Sequence, residues 1–353
     1  MQINISNLTL KHIIQENQIL INGFINKIQT TDDNLLKLKI HTKEGDKNIL
    51  ITQNSFFISN KSEPAKQNPG GFSAFLKKYL FNQRIISITQ QELDRIIIFE
   101  FPSVYLILEL FAKGNIILCD KEMRILKAMR KEKWKDRELA KEQKYNFPSS
   151  RGQNPLKLDE NEYIKKMKQN TKTVFGATLE LINIAPLILE FIFDELKIDK
   201  KKDSNTTSDE ELKKISSFIQ ELYSSPIQKI FVFENTLYTI DLKKNIQKEY
   251  SSINEALNEL TQRNFEQKEV VKKEQKKIDY KKQQEDFEQL ELELKEKGNM
   301  IYLKYQELNE LIKQINKLIK NGFNEKQIKE KLENKIIKIK EINIDKNIIK
   351  IEI

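Results

Sequence analysis

The residues whose types and spacing suit chemistry on nucleic acid begin with an adjacent acid and base, Asp94 and Arg95, which precede an apolar run. An arginine guanidinium is planar, so it can bind phosphate through two hydrogen bonds or stack on a base. The neighbouring carboxylate could orient that guanidinium or accept a hydrogen bond from a base edge. The alternative is a structural ion pair at the start of a strand, and both interpretations stay open.

A basic cluster surrounds the single tryptophan, Trp134, and is a second candidate for nucleic-acid contact. Its charged members are Arg130, Lys131, Lys133, Lys135 and Arg137. Positive charge beside an aromatic ring is typical of RNA-binding surfaces, because bases stack on the ring while cations contact phosphates. The alternative is a solvated loop with Trp134 packed into the core. Lys113, next to the turn residue Gly114, is a further cationic candidate.

Composition excludes several classes of function. The chain has 353 residues, with one cysteine, Cys119, and two histidines, His12 and His41. A lone cysteine rules out a disulfide framework and a cysteine-based zinc site, and two histidines make a His-rich metal site unexpected. The sequence contains no P-loop, GxGxxG, HExxH or GxSxG motif. We therefore expect a non-catalytic protein that uses neither a cofactor nor a metal.

Charge and hydropathy indicate where the chain works. Lys and Arg number 61 and Asp and Glu 52, which gives a net charge of +9. Such an excess favours polyanionic partners. No apolar run approaches the ~18 residues of a membrane span. The N-terminus lacks the basic-then-apolar pattern of a signal peptide. We expect a cytoplasmic protein without a membrane partner.

The elements that must position these residues form an α+β pattern over residues 1–157. Turn signals at 32–34 and a loop over 60–71 separate the predicted elements. We expect a mostly antiparallel sheet with segregated helices. The hydrophobic periodicity predicts helices at 5–21 and 72–81, and strands at 24–28, 36–40, 48–51, 95–101, 104–111, 116–119 and 124–129.

The rest of the chain is predicted to be mainly helical. Residues 158–260 form a helical middle domain that includes a hairpin turned at 234–235, and residues 261–297 form a long solvated helix with a thin apolar seam. Residues 298–353 hold a second helix that begins after Gly298, a short helix capped by Asn324, and two strands turned near 345. We expect the apolar seam of the long helix over 261–297 to be covered, either by another chain or by dimerisation.

Together these segments resemble one known family along nearly the whole chain and in the same order. The resemblance is carried by Phe72 to Leu80, Asp94-Arg95, Leu108 to Asp120, Arg130 to Arg137, Tyr145, Pro148, Asn154-Pro155, Leu179 to Lys200 and Gly298 to Tyr302. The sequence is similar to the NFACT family of ribosome quality-control factors, long called fibronectin-binding proteins. Residues 1–157 then correspond to the family's N-terminal domain, 158–260 to its helix-hairpin-helix-like middle domain, 261–297 to an ascending coiled-coil helix, and 298–353 to the arm tip.

The resemblance implies a factor that binds the large ribosomal subunit carrying a stalled peptidyl-tRNA and rescues stalled ribosomes. The N-terminal domain would contact tRNA through Asp94 and Arg95, with Lys113, Arg130 and Trp134 as further candidates. The coiled coil would reach along the subunit, so Lys272, Lys273, Lys276 and Lys277 are candidates for contact with rRNA. Many members also recruit aminoacyl-tRNA and support template-free tailing of the nascent chain.

Three departures from the family pattern qualify these implications. Thr9 stands where the resemblance implies an acidic residue in the first helix, and Glu180 to Pro186 replaces the Gly-rich turn of the middle domain. The RNA-binding domain and the descending helix that should follow the coiled coil are missing, which speaks against tailing by this chain alone. We expect a separate polypeptide to supply them.

Two alternative functions remain. The family's first domain also resembles the N-terminal domain of formamidopyrimidine-DNA glycosylases, which need an N-terminal proline amine and a neighbouring glutamate. Here Gln2 follows Met1, and a zinc finger cannot be built from one cysteine, so base excision is disfavoured. A coiled-coil interaction or adhesion protein is the other alternative, and the missing signal peptide weighs against it.

Overall fold

The computed structural model describes residues 3–31, 35–60, 71–134, 137–150, 152–227, 229–233, 236–243, 246, 248–333, 337–344 and 346–352. Their contacts divide the chain into two compact units, Met1–Glu266 and Gln267–Ile353. The expected turns at 32–34 and 234–235, residue 345 of the expected turn at 345–347, most of the expected loop over 60–71, Gln2 and Lys135 lie outside the described residues. Within the described chain, no helix combines the length and apolar character needed to cross a lipid bilayer.

Two antiparallel sheets dominate the first part of the chain. One has the strand order β2-β3-β4-β5, and the other has the order β10-β9-β8-β7-β6. Helices α1 (Asn7–Glu16) and α2 (Gly71–Leu80) accompany them. The strands are β1 (Asn4–Ile5), β2 (Phe24–Thr30), β3 (Leu36–Thr42), β4 (Gly45–Ile51), β5 (Phe56–Ile58), β6 (Ser87–Gln90), β7 (Ile96–Glu100), β8 (Val104–Glu109), β9 (Asn115–Asp120), β10 (Ile125–Ala128), β11 (Glu132–Lys133) and β12 (Glu138–Leu139).

The five-stranded sheet is buried on both faces. On one face, Phe99 of β7 packs edge-to-face on Phe56 of β5, with ring centroids 5.3 Å apart, so both sheets share one core. On the other face, Ile107 and Cys119 belong to a smaller cluster that also holds Tyr145. Burial on both faces explains why β7, β8 and β9 read as continuous apolar runs and not as an alternating pattern.

A helical region follows and has its own core. Its helices are α3 (Glu160–Gln169), α4 (Val174–Leu181), α5 (Pro186–Leu196) and α6 (Asp209–Ser224). Two leucines from outside this region, Leu8 of α1 and Leu93 before β7, are buried in the same core. The sheet-rich and helical regions are therefore packed together through side chains that the first contributes to the second.

A third sheet connects the beginning of the chain to residue 250. Strands β13 (Ile230–Phe233), β14 (Thr236–Tyr238) and β15 (Lys248–Tyr250) form it together with β1, which pairs parallel to β14. The hairpin expected at 229–240 is confirmed, and its partner strand β1 lies more than 200 residues earlier in the sequence. Helix α7 (Ile253–Leu303) begins directly after this sheet, and its first turns join the core of the two sheets through Ile253 and Leu257.

The second unit has a separate small core. Helix α7 is followed by α8 (Tyr305–Lys320), α9 (Glu325–Lys331) and the antiparallel strands β16 (Lys338–Asn343) and β17 (Ile348–Glu352). Leu311, Ile315 and Ile328 are buried among the apolar residues of the strands. Asn324 caps α9, and its side chain and that of Gln327 exchange hydrogen bonds with each other's backbone amides, as expected.

The α+β prediction is confirmed in its main elements, with three corrections. Helix α1 ends at Glu16 and the chain continues to Leu20 as a 3₁₀ turn. The short strands β1, β5, β6, β11, β12 and β15 were not predicted. The expected break at Gly298 is wrong, because α7 continues to Leu303. An interior glycine costs a helix only about 1 kcal/mol relative to alanine, which strong helix formers on both sides offset.

Candidate nucleic-acid interface

A cavity of about 710 Å³ brings Asp94 and Arg95 together with residues from the helical region. Five segments meet there: the start of α1, the turn before β7, the turn after β8, the link at 148–149, and the connection between α4 and α5. Its lining consists of Ile5, Ser6, Asn7, Asp94, Arg95, Ile96, Phe111, Ala112, Pro148, Ser149, Leu179, Asn183, Ile184, Ala185 and Pro186. The walls are thus mostly apolar, with polar groups gathered around one acid and one base.

The turn before β7 holds Asp94 through a strained backbone. Glu92 and Leu93 are consecutive non-glycine residues with positive φ angles of 44° and 55°, a conformation that costs roughly 1–2 kcal/mol per residue. Burial of the Leu93 side chain in the helical core offsets part of that cost. The Glu92 carboxylate accepts hydrogen bonds from Lys157 Nζ at 2.5 Å and Asn154 Nδ2 at 3.0 Å. The turn is therefore fixed by residues that follow it by more than 60 positions.

The carboxylate of Asp94 is half-buried and has a specific partner. Asn183 Nδ2 donates to Asp94 Oδ1 at 2.6 Å. Burial raises the pKa of Asp94 above its usual range, and the negative charge of Glu92 adds to this rise. Hydrogen bonds from Asn183 and Ser150 and the charge of Arg95 act in the opposite direction. A carboxylate in such an environment binds hydrogen-bond donors strongly, because little water competes for it.

Asn183 is itself held by a chain of hydrogen bonds. Its backbone carbonyl accepts from Asn7 Nδ2 at 2.6 Å. Asn7 Oδ1 in turn accepts from the buried Tyr223 hydroxyl at 2.9 Å. On the strand side, Gln90 Nε2 donates to the carbonyls of Asn7 at 3.0 Å and Asp94 at 2.9 Å. These bonds connect α1, the turn before β7 and the α4–α5 connection into one network at the cavity wall.

The α4–α5 connection also packs closely on the linker that precedes the helical region. The amide of Gln153 donates to the Leu181 carbonyl at 2.7 Å, and the amide of Asn183 donates to the Gln153 carbonyl at 2.9 Å. Gly152 has a φ of +125°, and a Cβ atom there would lie 2.7 Å from the carbonyl carbon of Ile182. The glycine at position 152 therefore lets the linker lie directly against the backbone of the α4–α5 connection.

Trp134 lies on a separate hairpin formed by β11 and β12. Its side chain is 41% exposed. The Arg137 guanidinium lies 4.4 Å from its ring centroid. That guanidinium makes two hydrogen bonds to the Glu109 carboxylate, at 2.6 and 3.1 Å, and Tyr145 donates to the same carboxylate at 2.9 Å. Trp134 is therefore placed on a buried ion pair and is not part of the apolar core.

The other predicted contact residues lie outside the lining of the cavity. Lys113 is exposed in the turn next to Ala112, which does line it. Arg130 is half-buried, and its Nε donates to Glu132 Oε1 at 3.1 Å. On α7, the side chains of Lys273, Lys276 and Lys277 are exposed, while that of Lys272 lies outside the described part of the structure.

Three further residues have roles that their sequence context did not indicate. Thr9, at the position where an acid was implied, is fully buried and donates to the Leu237 carbonyl at 3.0 Å, so its hydroxyl faces the third sheet. Asn183 and Asn7 were not predicted as site residues. Asn183 lies in the segment 180–186, whose one notable feature in the sequence is that it contains no glycine. No local sequence pattern marks Asn7, because its hydrogen-bond partners lie far away in the sequence.

No group of three or more His, Cys, Asp or Glu side chains suited to a metal ion occurs among the residues that the structure describes. The cavity instead presents one carboxylate, one guanidinium and several amide and hydroxyl groups. This combination can accept and donate hydrogen bonds to an exposed base edge and can bind a phosphate.

Comparisons with known proteins point in one direction. A family model described as "NFACT N-terminal and middle domains" matches residues 6–350. The archaeal Rqc2 homolog aRqcH of Methanocaldococcus jannaschii is 32% identical over 305 residues, which cover 79% of this chain and 45% of that protein. The ribosome quality control complex subunit NEMF homolog of Drosophila melanogaster is 30% identical over 167 residues, or 45% of this chain and 17% of that protein. The chain thus spans less than half the length of these curated relatives.

Solved structures share the fold at lower sequence identity. The N-terminal part of the fibronectin/fibrinogen-binding protein from Streptococcus suis superposes with a TM-score of 0.59 at 19% identity, covering 72% of this chain and 98% of that one. The fibrinogen binding protein from Staphylococcus aureus gives a TM-score of 0.59 at 21% identity, covering 72% and 97%. These similarities show the fold alone and carry no statement about ligands.

Proposed function

Because this chain belongs to the NFACT family, we propose that it acts in ribosome quality control, binding a large ribosomal subunit that carries a stalled peptidyl-tRNA. The proposal is supported by the names of its curated relatives, which are ribosome quality control subunits and an archaeal homolog of one. In this proposal the protein positions its ligands. It holds the subunit and the tRNA in one geometry, and it neither makes nor breaks a covalent bond.

The observation that carries the proposal is the cavity that presents Asp94 and Arg95 between the sheet-rich and helical regions. A tRNA loop offers unpaired bases and closely spaced phosphates, which an acid and a planar base can recognise together. In this role Arg95 binds phosphate or stacks on a base, and Asp94 accepts from a base edge. Lys113, Arg130 and Trp134 would extend the contact surface beyond the cavity.

The exposed apolar side chains of helix α7 support a second part of the proposal, a coiled-coil arm that reaches along the subunit. Tyr280, Phe287, Leu294 and Ile301 follow one another at seven-residue spacing, and each side chain is 50–70% exposed. Such spacing is typical of a coiled-coil seam that a second helix covers. We propose that a descending helix fills this role and that tailing of the nascent chain requires it.

The exposed lysines of α7 fit the same proposal. Lys273, Lys276 and Lys277 lie in a stretch of α7, residues 268–282, in which lysine is the commonest residue. Lysines that neutralise rRNA phosphates release condensed counterions, so the affinity should fall steeply as salt is raised.

The test is co-sedimentation of the full chain with purified large subunits that carry peptidyl-tRNA, at about 50 and about 200 mM salt. Binding at low salt that weakens strongly at high salt, with tRNA enriched in the bound RNA, is the expected result. Asp94→Asn and Arg95→Lys should reduce the tRNA fraction. Failure of the unaltered chain to sediment at low salt, even with cell extract added to supply a partner chain, would reject the proposal.

A further inference from the structure

The only tryptophan of the chain lies against a guanidinium that cannot easily move. Trp134 precedes the tip of the β11–β12 hairpin, and its amide donates to the Arg137 carbonyl at 2.8 Å. The Arg137 guanidinium covers one face of the indole at 4.4 Å from the ring centroid. Trp134 is nevertheless 41% exposed as a residue, and one guanidinium can cover only one face of its ring.

The guanidinium that lies against the ring belongs to a buried ion pair. Glu109 and Arg137 are almost completely buried, with side chains 2% and 6% exposed. Tyr145, also buried, donates to the Glu109 carboxylate. The fork of the guanidinium is thus fixed by two hydrogen bonds to an acid whose own position is fixed by the sheet and a tyrosine. An exposed ring on so rigid a base loses little conformational freedom when a planar ligand covers it.

The segment on the N-terminal side of Trp134 has an excess of positive charge, because Arg130, Lys131 and Lys133 are accompanied by one acid, Glu132. The Lys133 side chain is 77% exposed, and its Nζ lies 3.6 Å from the Glu138 carboxylate. Lys141 and Lys144, both exposed, follow the hairpin. An exposed aromatic ring next to exposed lysines in the sequence matches a ligand that combines flat rings with regularly spaced negative charges.

We propose that the open face of Trp134 is a stacking platform for one unpaired nucleobase of RNA, with Lys131 and Lys133 contacting the adjoining phosphates. This inference rests on the proposed function in assuming that RNA is the ligand, but it assigns a site outside the Asp94 cavity. Arg137 and Glu109 are positioning residues in this account: they hold the ring and do not reach the base.

The single tryptophan makes the proposal directly measurable. The full chain is titrated with a labelled single-stranded RNA of about ten adenosines, and RNA anisotropy reports binding while intrinsic fluorescence reports on Trp134. Stacking should quench the emission in step with binding and should protect the indole from iodide. If anisotropy shows saturation while emission and iodide access stay unchanged, the platform is absent.

A pair of variants separates stacking from general charge. Trp134→Ala should weaken binding of this RNA about 5- to 100-fold, whereas Trp134→Phe should retain most of it, because any aromatic face can stack. Both variants are checked for native folding by circular dichroism, and the Phe variant keeps the ring on Arg137. Equal affinities for the two variants would overturn the proposal.

These outcomes are distinguishable from failure of the proposed function. A chain that binds large subunits and tRNA normally, but shows no quenching and no effect of Trp134→Ala, loses only the platform. A chain that binds neither tRNA nor the adenosine RNA loses both proposals together.

Discussion

The side-chain amide of Asn183 donates a 2.6 Å hydrogen bond to the carboxylate of Asp94, a residue 89 positions earlier in the sequence. This bond joins the α4–α5 connection of the helical region to the turn before β7. Because Asp94 is half-buried, losing its partner would leave a poorly solvated carboxylate. The orientation of the carboxylate in the cavity therefore depends on a region of the chain that a tRNA need not touch.

Replacing Asn183 with alanine should lower stability and tRNA affinity together. Removing one partner of a charged, partly buried group costs about 1–3 kcal/mol, and the freed carboxylate no longer holds its direction. Chemical unfolding and tRNA binding of the purified chain provide the two measurements. The matched control is Asn299→Ala on the exposed surface of α7, which should change stability by less than about 0.5 kcal/mol. Unchanged tRNA affinity in Asn183→Ala would contradict the positioning role.

Two glycine-to-alanine substitutions should have opposite effects. In Gly152→Ala the new Cβ would lie 2.7 Å from the Ile182 carbonyl carbon at a φ of +125°, so the α4–α5 connection must move and stability should fall by roughly 1–3 kcal/mol. In Gly298→Ala the new Cβ would have no neighbouring atom within 4 Å, and stability should rise by about 0.5–1 kcal/mol. Calorimetry of both variants checks the signs. A Gly152→Ala variant as stable as the unaltered chain would show that the two segments are not in firm contact.

Glu16 should matter for the start of α7 although it is far away in sequence. Its carboxylate accepts hydrogen bonds from the amides of Ile253 at 2.7 Å and Asn254 at 3.1 Å, and from the Ser252 hydroxyl at 2.5 Å. A carboxylate at a helix N-terminus also interacts favourably with the helix dipole. Glu16→Gln keeps the shape and removes the charge, so we expect a loss of about 1–2 kcal/mol.

Hydrogen exchange localises that effect of Glu16→Gln. The amides of Ile253 and Asn254 should exchange faster in the variant, while those in the middle of α7 should not change. Glu255→Gln, which alters an exposed acid in the same first turn, is the control and should leave exchange at these two amides nearly as it is. Equal protection in both variants would mean that Glu16 does not cap the helix.

Stability should fall as the pH is lowered from about 6.5 to about 4, in part because of His12. Burial and, to a lesser degree, the charge of Lys11 lower the pKa of His12 from 6.5 to about 4, against an opposing contribution from the Ser225 backbone. Between these pH values the unfolded chain binds a proton that the folded chain does not. This difference in pKa corresponds to about 3 kcal/mol of stability, fully present above pH 6.5 and lost near pH 4.

Comparing variants isolates this histidine from other titrating groups. The raised pKa of Asp94 acts in the opposite direction, since a carboxyl that is protonated more readily in the folded state favours folding as the pH falls. His12→Leu should therefore flatten the curve of unfolding free energy against pH relative to the unaltered chain. A slope that His12→Leu does not alter would refute the assignment.

The sequence predicted those elements whose signal is local. Each of these features depends on neighbouring residues and could therefore be predicted: the apolar stripe of α2, the apolar runs of β7 to β9 and the Asn324 cap. Asp94 and Arg95 could be singled out because an acid and an arginine stand side by side before a strand. The single tryptophan within a basic cluster was equally visible.

The remaining features depend on contacts that sequence spacing does not encode. Asn183 meets Asp94, and Glu16 meets Ile253, only after residues 89 and 237 positions apart have been brought together. The parallel pairing of β1 with β14 is of the same kind. The error at Gly298 had a different cause: a weak local preference was given more weight than the strong helix formers around it.

The burial of Leu8 and Leu93 in the helical core sets a limit on how this molecule can be dissected. A truncated fragment that stops near residue 157 would uncover both leucines and leave β1 without its strand partner. One that starts there would lack the side chains that close its own interior. A cleavage point compatible with two soluble pieces must instead lie further along α7, beyond Leu260, where the helix no longer contributes to the core of the sheets.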